Sequence, residues 1–181
     1  MAAGEYQKAI ELQKAKRLKE PRNRKVAAEY VATVEEIKKA ADAARGKGDY
    51  AMAAGAYGIL AGSWDGDKAV AGALSFKKSD LEAELVTCRN AIRGQEVRRE
   101  LKAGRYEKAV EICRTGLKGQ PGEKAARADY ASAILEIKAA GDKALDERDY
   151  AAAGRIHGLL LNNLGSFKGL DGIGRRRLRR R

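Results

Sequence analysis

The sequence predicts an all-α protein built as an internally duplicated helical array, and three observations carry that expectation. The stretch from Gly4 to Leu60 repeats without a gap one hundred positions later, from Gly104 to Leu160, with twenty identities in fifty-seven aligned positions. Self-similarity over such a distance marks a repeat architecture. No segment alternates apolar and polar residues at period two, and Val, Ile and Thr are sparse, which leaves little material for a sheet. Finally, 44% of the 181 residues are hydrophobic but only 6% are aromatic. A core rich in alanine suits helices that approach closely.

The elements follow in order. An amphipathic stretch over 4–18 must stop before Pro21, which cannot continue a helix. A long helix over 24–46 then runs to the Gly46 to Gly48 region, and a shorter one over 49–62 ends at the breaker Gly62-Ser63-Trp64-Asp65-Gly66-Asp67. Val70 to Phe76 adds a short apolar segment. Ser79 followed by Glu82 has the spacing of a capping box and opens a helix over 80–103. After Gly104 the pattern starts again, with helices over 105–118, 123–146 and 149–163 placed around Pro121. The expected division is a repeat domain over 1–163, with halves 4–76 and 104–163 joined by the 80–103 helix, and a basic, disordered tail over 164–181.

A finer motif sits inside the duplication. Gly4-Glu5-Tyr6, Gly48-Asp49-Tyr50, Gly104-Arg105-Tyr106 and Arg148-Asp149-Tyr150 recur at spacings of 44, 56 and 44, each with alanine three residues after the tyrosine. Glycine there suits a reversal between two helices, where a residue of positive φ ends the first. The four tyrosines, together with Tyr30 and Tyr130, are expected to pack helix against helix.

These residues resemble the turn and second helix of a tetratricopeptide repeat. The likeness rests on Gly-x-Tyr, Ala at +3, Pro21 and Pro121 at +15, bulky Tyr57, Cys113 and His157 near +7, and small Gly116 near +10. Glu96, Val97 and Glu100 depart from the first-helix pattern, and the spacing exceeds the roughly 34 residues of that family. The resemblance implies a right-handed α-solenoid of helix hairpins that binds a protein or peptide on its concave side. Lys38 and Asp42, with Lys138 and Asp142 one hundred positions on, then fall on the first helix of each pair as candidate partner contacts. As plain surface chemistry, each is an i,i+4 ion pair that supports its own helix. Asparagine stands beside the lysine in family members that clamp a C-terminal carboxylate; aspartate here would repel that group.

The net charge of +12 is unevenly placed. Eight basic and two acidic residues lie between Lys8 and Lys25, seven basic and one acidic between Lys168 and Arg181, and the body between is nearly neutral. Arg175, Arg176, Arg177, Arg179, Arg180 and Arg181 form the densest run, able to bind phosphate in nucleic acid or on an anionic membrane by counterion release, without sequence preference. The sequence thus offers two readings: a scaffold for another protein or for copies of itself, or an electrostatic adaptor using the basic ends.

Other chemistry finds little foothold. There is no phosphate-loop pattern and no serine elbow, so no enzyme activity, cofactor or small-molecule substrate is expected. Cys88 and Cys113 are too few for a cysteine-only zinc site and read as free, buried thiols; His157 reads as a core or boundary filler. Glycines 55, 58 and 62 read as points of close helix approach. No apolar run reaches the length of a membrane span and the first residues lack a secretory pattern, so the sequence reads as cytoplasmic, or as exported if a signal segment precedes its start. Both ends look like hairpins broken open: Gly172 aligns with Gly72, but the residues after it diverge into the arginine run. Exposed apolar helix faces, and hence self-association or missing neighbours, are expected there.

Overall fold

The computed structural model describes residues 3–64, 68–119 and 124–164. Among them there is no strand. Eight α-helices follow in order: α1 (Ala3–Lys19), α2 (Arg24–Gly46), α3 (Tyr50–Gly62), α4 (Lys68–Ala73), α5 (Lys78–Lys102), α6 (Tyr106–Gly119), α7 (Lys124–Asp146) and α8 (Tyr150–Leu164). The chain forms two compact units, residues 1–92 and 93–181. Their boundary falls inside α5, so the helix read as a connector is divided between them.

In the first unit, α2 starts where Asn23 caps it, its Oδ1 accepting from the backbone N–H of Lys25 at 2.9 Å. Val26, Tyr30, Val34, Ile37, Ala41 and Ala44 then recur every three or four residues and are all buried. From Tyr30 onward that stripe packs with Tyr6 and Ile10 of α1, with Ala53, Ala56, Tyr57 and Leu60 of α3, and with Val70, Phe76, Leu81 and Cys88 further on, in one core. Trp64 and Phe76 stack tilted at 6.2 Å. The second unit has its own core, formed by Val97 and Leu101 of α5, Ala109, Val110, Cys113 and Leu117 of α6, Tyr130, Ala133, Ile134 and Ile137 of α7, and Leu160 of α8.

The turns explain the helix ends. After α2, the N–H of Gly48 donates to the carbonyl of Arg45 at 2.9 Å and that of Asp49 to Ala44 at 2.9 Å, with Gly48 at φ 80°. This is a Schellman closure, which satisfies last-turn carbonyls through a left-handed residue. The same pair of bonds closes α5, from Gly104 (φ 70°) to Leu101 and Arg105 to Glu100, and α7, from Arg148 (φ 61°) to Leu145 and Asp149 to Ala144. The three later Gly/Arg-x-Tyr motifs are therefore helix-to-helix turns as expected. The first is not: Gly4 lies inside α1.

Other expectations need correction. Ser79 does not cap α5, which begins one residue earlier; Asp80 instead accepts from the N–H of Lys77 at 2.8 Å, closing the first turn from within. Tyr6, Tyr30 and Tyr130 are buried and Tyr50 and Tyr106 half-buried, but Tyr150 is 69% exposed. No described element follows α8 to cover it. A Cβ added at Gly58 or Gly62 would meet nothing within 4 Å, so neither marks a close approach. Close approaches occur at Gly116, where a Cβ would fall 2.6 Å from the Arg93 side chain, and at Gly141, 2.9 Å from the His157 ring. Asp65-Gly66-Asp67 and the tail over 165–181 lie outside the described residues.

Candidate functional site

Lys38 and Asp42 are one helical turn apart on α2, which brings the ammonium to within 2.8 Å of Asp42 Oδ2. The other carboxylate oxygen is not left to water. Tyr57, fully buried on α3, donates its hydroxyl to Asp42 Oδ1 at 2.5 Å. The Lys38 ammonium also lies 5.3 Å from the centre of the Phe76 ring, where the negative face of the aromatic attracts a cation. Partial burial opposes the charge on Asp42, but the hydrogen bonds from Lys38 and Tyr57 outweigh it and hold the carboxyl below its ordinary range. Burial first, and then the bonded carboxylate, push the Tyr57 hydroxyl above the ordinary tyrosine value. Tyr57 is thus held as a neutral donor.

The second unit builds the same arrangement with a different third member. Lys138 pairs with Asp142 on α7, and His157 on α8 places Nε2 3.8 Å from Asp142 Oδ1. That is too long for a hydrogen bond. His157 Nε2 is buried without a hydrogen-bond partner among the described residues. Gly141 makes room for the ring, where the first unit has Ala41 at the corresponding position. Position 157 is half-buried, as a boundary filler should be, yet it faces a carboxylate that its sequence neighbours do not reveal.

All four residues proposed as partner contacts are thus placed in matching pairs, each within its own unit. Their side chains stay 25% to 49% exposed, enough to meet a ligand and too much for core ions. The arginines 175–181 lie outside the described residues. Among the described residues no group of acidic, histidine and cysteine side chains could hold a metal ion. Cys88 and Cys113 are free and buried; burial pushes Cys113 up to about 12 and raises Cys88 as well, so both remain thiols at neutral pH.

Three further charge pairs were not foreseen. Arg45 on α2 pairs with Glu84 on α5. In the second unit, Arg93 passes over Gly116 to reach Asp129 at 3.4 Å. Glu100, 1% exposed, is held by Arg105 and by Arg99 at 3.4 Å. Only the Glu100 pairs lie near in sequence, one with its neighbour Arg99 and the other with Arg105 at a five-residue spacing that crosses a turn, where helix periodicity gives no signal. The recurrence of a polar ring at both 57 and 157, with aspartate at both 42 and 142, was the available sign of the site.

A groove of about 410 Å³ lies between α6 and α8, lined among others by Glu107, Glu111, Arg114, Lys118 and Asn163. Arg114 donates to Asn163 Oδ1 across it at 3.2 Å. None of the residues named from sequence lines it. Compared with known protein families, with curated proteins and with solved structures, the chain matches none. No helix among the described residues is long and apolar enough to cross a membrane.

Proposed function

We propose that this protein is a non-catalytic scaffold, a right-handed α-solenoid of duplicated, tetratricopeptide-like hairpins that binds another protein or assembles with itself. The observation that carries the reading is the repeated, part-exposed lysine–aspartate pair with a polar ring on the next helix facing the aspartate, at positions 38, 42 and 57, where Tyr57 donates to Asp42, and again at 138, 142 and 157, where His157 stands 3.8 Å from Asp142. An isolated surface pair contributes only about 0.3 to 0.5 kcal/mol to its helix. Stability alone gives little reason to build the pair twice at the same place in each unit. Charged groups presented from rigid helices suit recognition of a complementary peptide.

The test is recovery of partners from the native host with wild-type chain and with the Lys38→Glu, Lys138→Glu double variant, circular dichroism confirming equal helicity. Loss of a specific partner in the variant supports the reading. Identical recovery by both overturns it.

A second reading rests on the arginine run, six guanidiniums in the last seven residues. Binding to DNA or to anionic vesicles through that run would weaken steeply with salt and vanish on removal of residues 174–181. Salt-insensitive binding would exclude an electrostatic adaptor.

A further inference from the structure

Four cations meet at the joint between α1 and α2. Lys19 ends the first helix, Arg22 lies in the turn, and Arg24 and Lys25 open the second; all four are exposed. None of these side chains makes an ion pair or hydrogen bond among the described residues. The nearby acids are engaged elsewhere: Glu20 accepts from Asn23 Nδ2 at 2.5 Å, and Glu29 pairs with Lys16 at 3.5 Å. The first turn of α2 contains no acidic residue. Cations at the positive end of a helix dipole lower helix stability, so the cluster works against the helix that carries it.

The duplication supplies an internal control. One hundred positions on, Lys19, Arg22 and Lys25 correspond to Gly119, Gly122 and Ala125, and Arg24 alone keeps a base, as Lys124. A helix of the same 23 residues starts there without them. The adjoining position changes in the opposite sense. Leu18 is 83% exposed and lies outside the core of its unit, whereas the second unit places an exposed Lys118 there. The hairpin therefore demands neither the cations nor the leucine.

We propose that the α1–α2 joint docks on an anionic membrane surface, with its cations on lipid phosphates and Leu18 entering the acyl boundary. A cationic surface with an exposed aliphatic side chain gains from charge and from apolar burial at such an interface. Nucleic acid would use the cations alone: no aromatic residue stands between Tyr6 and Tyr30 to stack on a base, and Leu18 has nothing to meet on a phosphodiester backbone. A second copy brings the same net charge of +12, and nowhere in the chain do three acidic residues stand together to match the cluster. The proposal goes beyond both readings above, since it uses neither Lys38 and Lys138 nor the arginine run.

The test uses the full-length chain with the six arginines of 175–181 changed to glutamine, so that vesicle binding reports on the rest of the molecule. Cosedimentation with vesicles of about one third phosphatidylserine in phosphatidylcholine is expected to persist, and to be absent with phosphatidylcholine alone. Each cation near such a surface contributes about fivefold to partitioning, so Lys19→Gln, Arg22→Gln and Lys25→Gln together should lower it about a hundredfold, circular dichroism confirming unchanged helicity. Removing the same charge from the second unit, with Lys108→Gln, Lys118→Gln and Lys124→Gln, should have a far smaller effect. Leu18→Asn should lower vesicle binding about tenfold and leave binding to a DNA duplex unmoved. Absence of vesicle binding, an equal loss in the two triple variants, or no effect of Leu18→Asn overturns the proposal. Tighter binding to DNA or to polyglutamate than to these vesicles at equal salt gives the joint to another partner and overturns it too. The arginine run is tested by removing residues 174–181, so failure there and failure here are read separately.

Discussion

Glu100 stands five positions before Arg105, where the other two Schellman turns have Ala44 before Asp49 and Ala144 before Asp149. In those turns the aspartate caps the next helix, accepting from Met52 N–H at 3.1 Å and from Ala152 N–H at 2.9 Å. Arginine cannot accept, so α6 loses its side-chain cap and the turn gains an ion pair instead. The hydrogen bond from Arg105 acts first in holding Glu100 below the ordinary glutamate value of 4.5, against the opposing effect of burial. A carboxylate depressed in the folded state contributes stability that is full above its unfolded value and lost as pH falls through its folded one. The urea midpoint of wild type should therefore drop more steeply below about pH 4.5 than that of Glu100→Ala; parallel curves would show that the pair contributes nothing. Position 57 gives a second prediction. Tyr57→Phe keeps the ring but removes the donor to Asp42, at an expected cost of about 1 kcal/mol in chemical unfolding. In the second unit, Gly141→Ala forces a methyl group to 2.9 Å from the His157 ring and should cost about 1 to 3 kcal/mol, recovered when His157→Ala is combined with it. Failure of the second change to restore stability would place the strain elsewhere.

Between helices the decisive residue is the left-handed one. Gly48 and Gly104 adopt positive φ at no steric cost, whereas Arg148 does so with a Cβ, which costs about 1 kcal/mol or more. Arg148 is exposed, and no ion pair or hydrogen bond of its side chain offsets that strain among the described residues. Arg148→Gly should stabilise the chain by about 0.5 to 1 kcal/mol after the greater unfolded-state freedom of glycine is counted, read as a higher urea midpoint. A lower midpoint would mean that the arginine makes a contact worth more than its strain. The helices themselves were legible because strong punctuation bounds them. Pro21 and the glycine turns placed α2 at 24–46 and α7 within a residue of its observed start. The cap of α5 was misread because Ser79 and Asp80 both suit a first turn, and only Asp80 has the length and charge to reach back to Lys77 N–H. The burial of Tyr150 was misjudged for a different reason: its neighbours in sequence match those of Tyr50, but its cover depends on what packs over α8. Long-range pairs such as Arg45 with Glu84 and Arg93 with Asp129 leave no periodic trace.

At the scale of the molecule, two cores stand where a chain of this length could have built one. The residues of the first, from Tyr6 to Cys88, and those of the second, from Val97 to Leu160, share no member, and α5 is the one element contributing to both. Where two cores share a single helix, stability should be close to a sum of local terms, so damage to one core should spread only as far as that shared element. Tyr57 is the place to test this, being fully buried in the first core. Tyr57→Ala should cost about 3 to 5 kcal/mol within that unit. Native-state hydrogen exchange is then expected to quicken at amides of α2, α3 and the first half of α5, while those of α7 and the buried part of α6 keep their wild-type protection. Equal loss of protection in both units would mean that α5 transmits the full free energy from one core to the other, and the chain would have to be treated as a single cooperative domain.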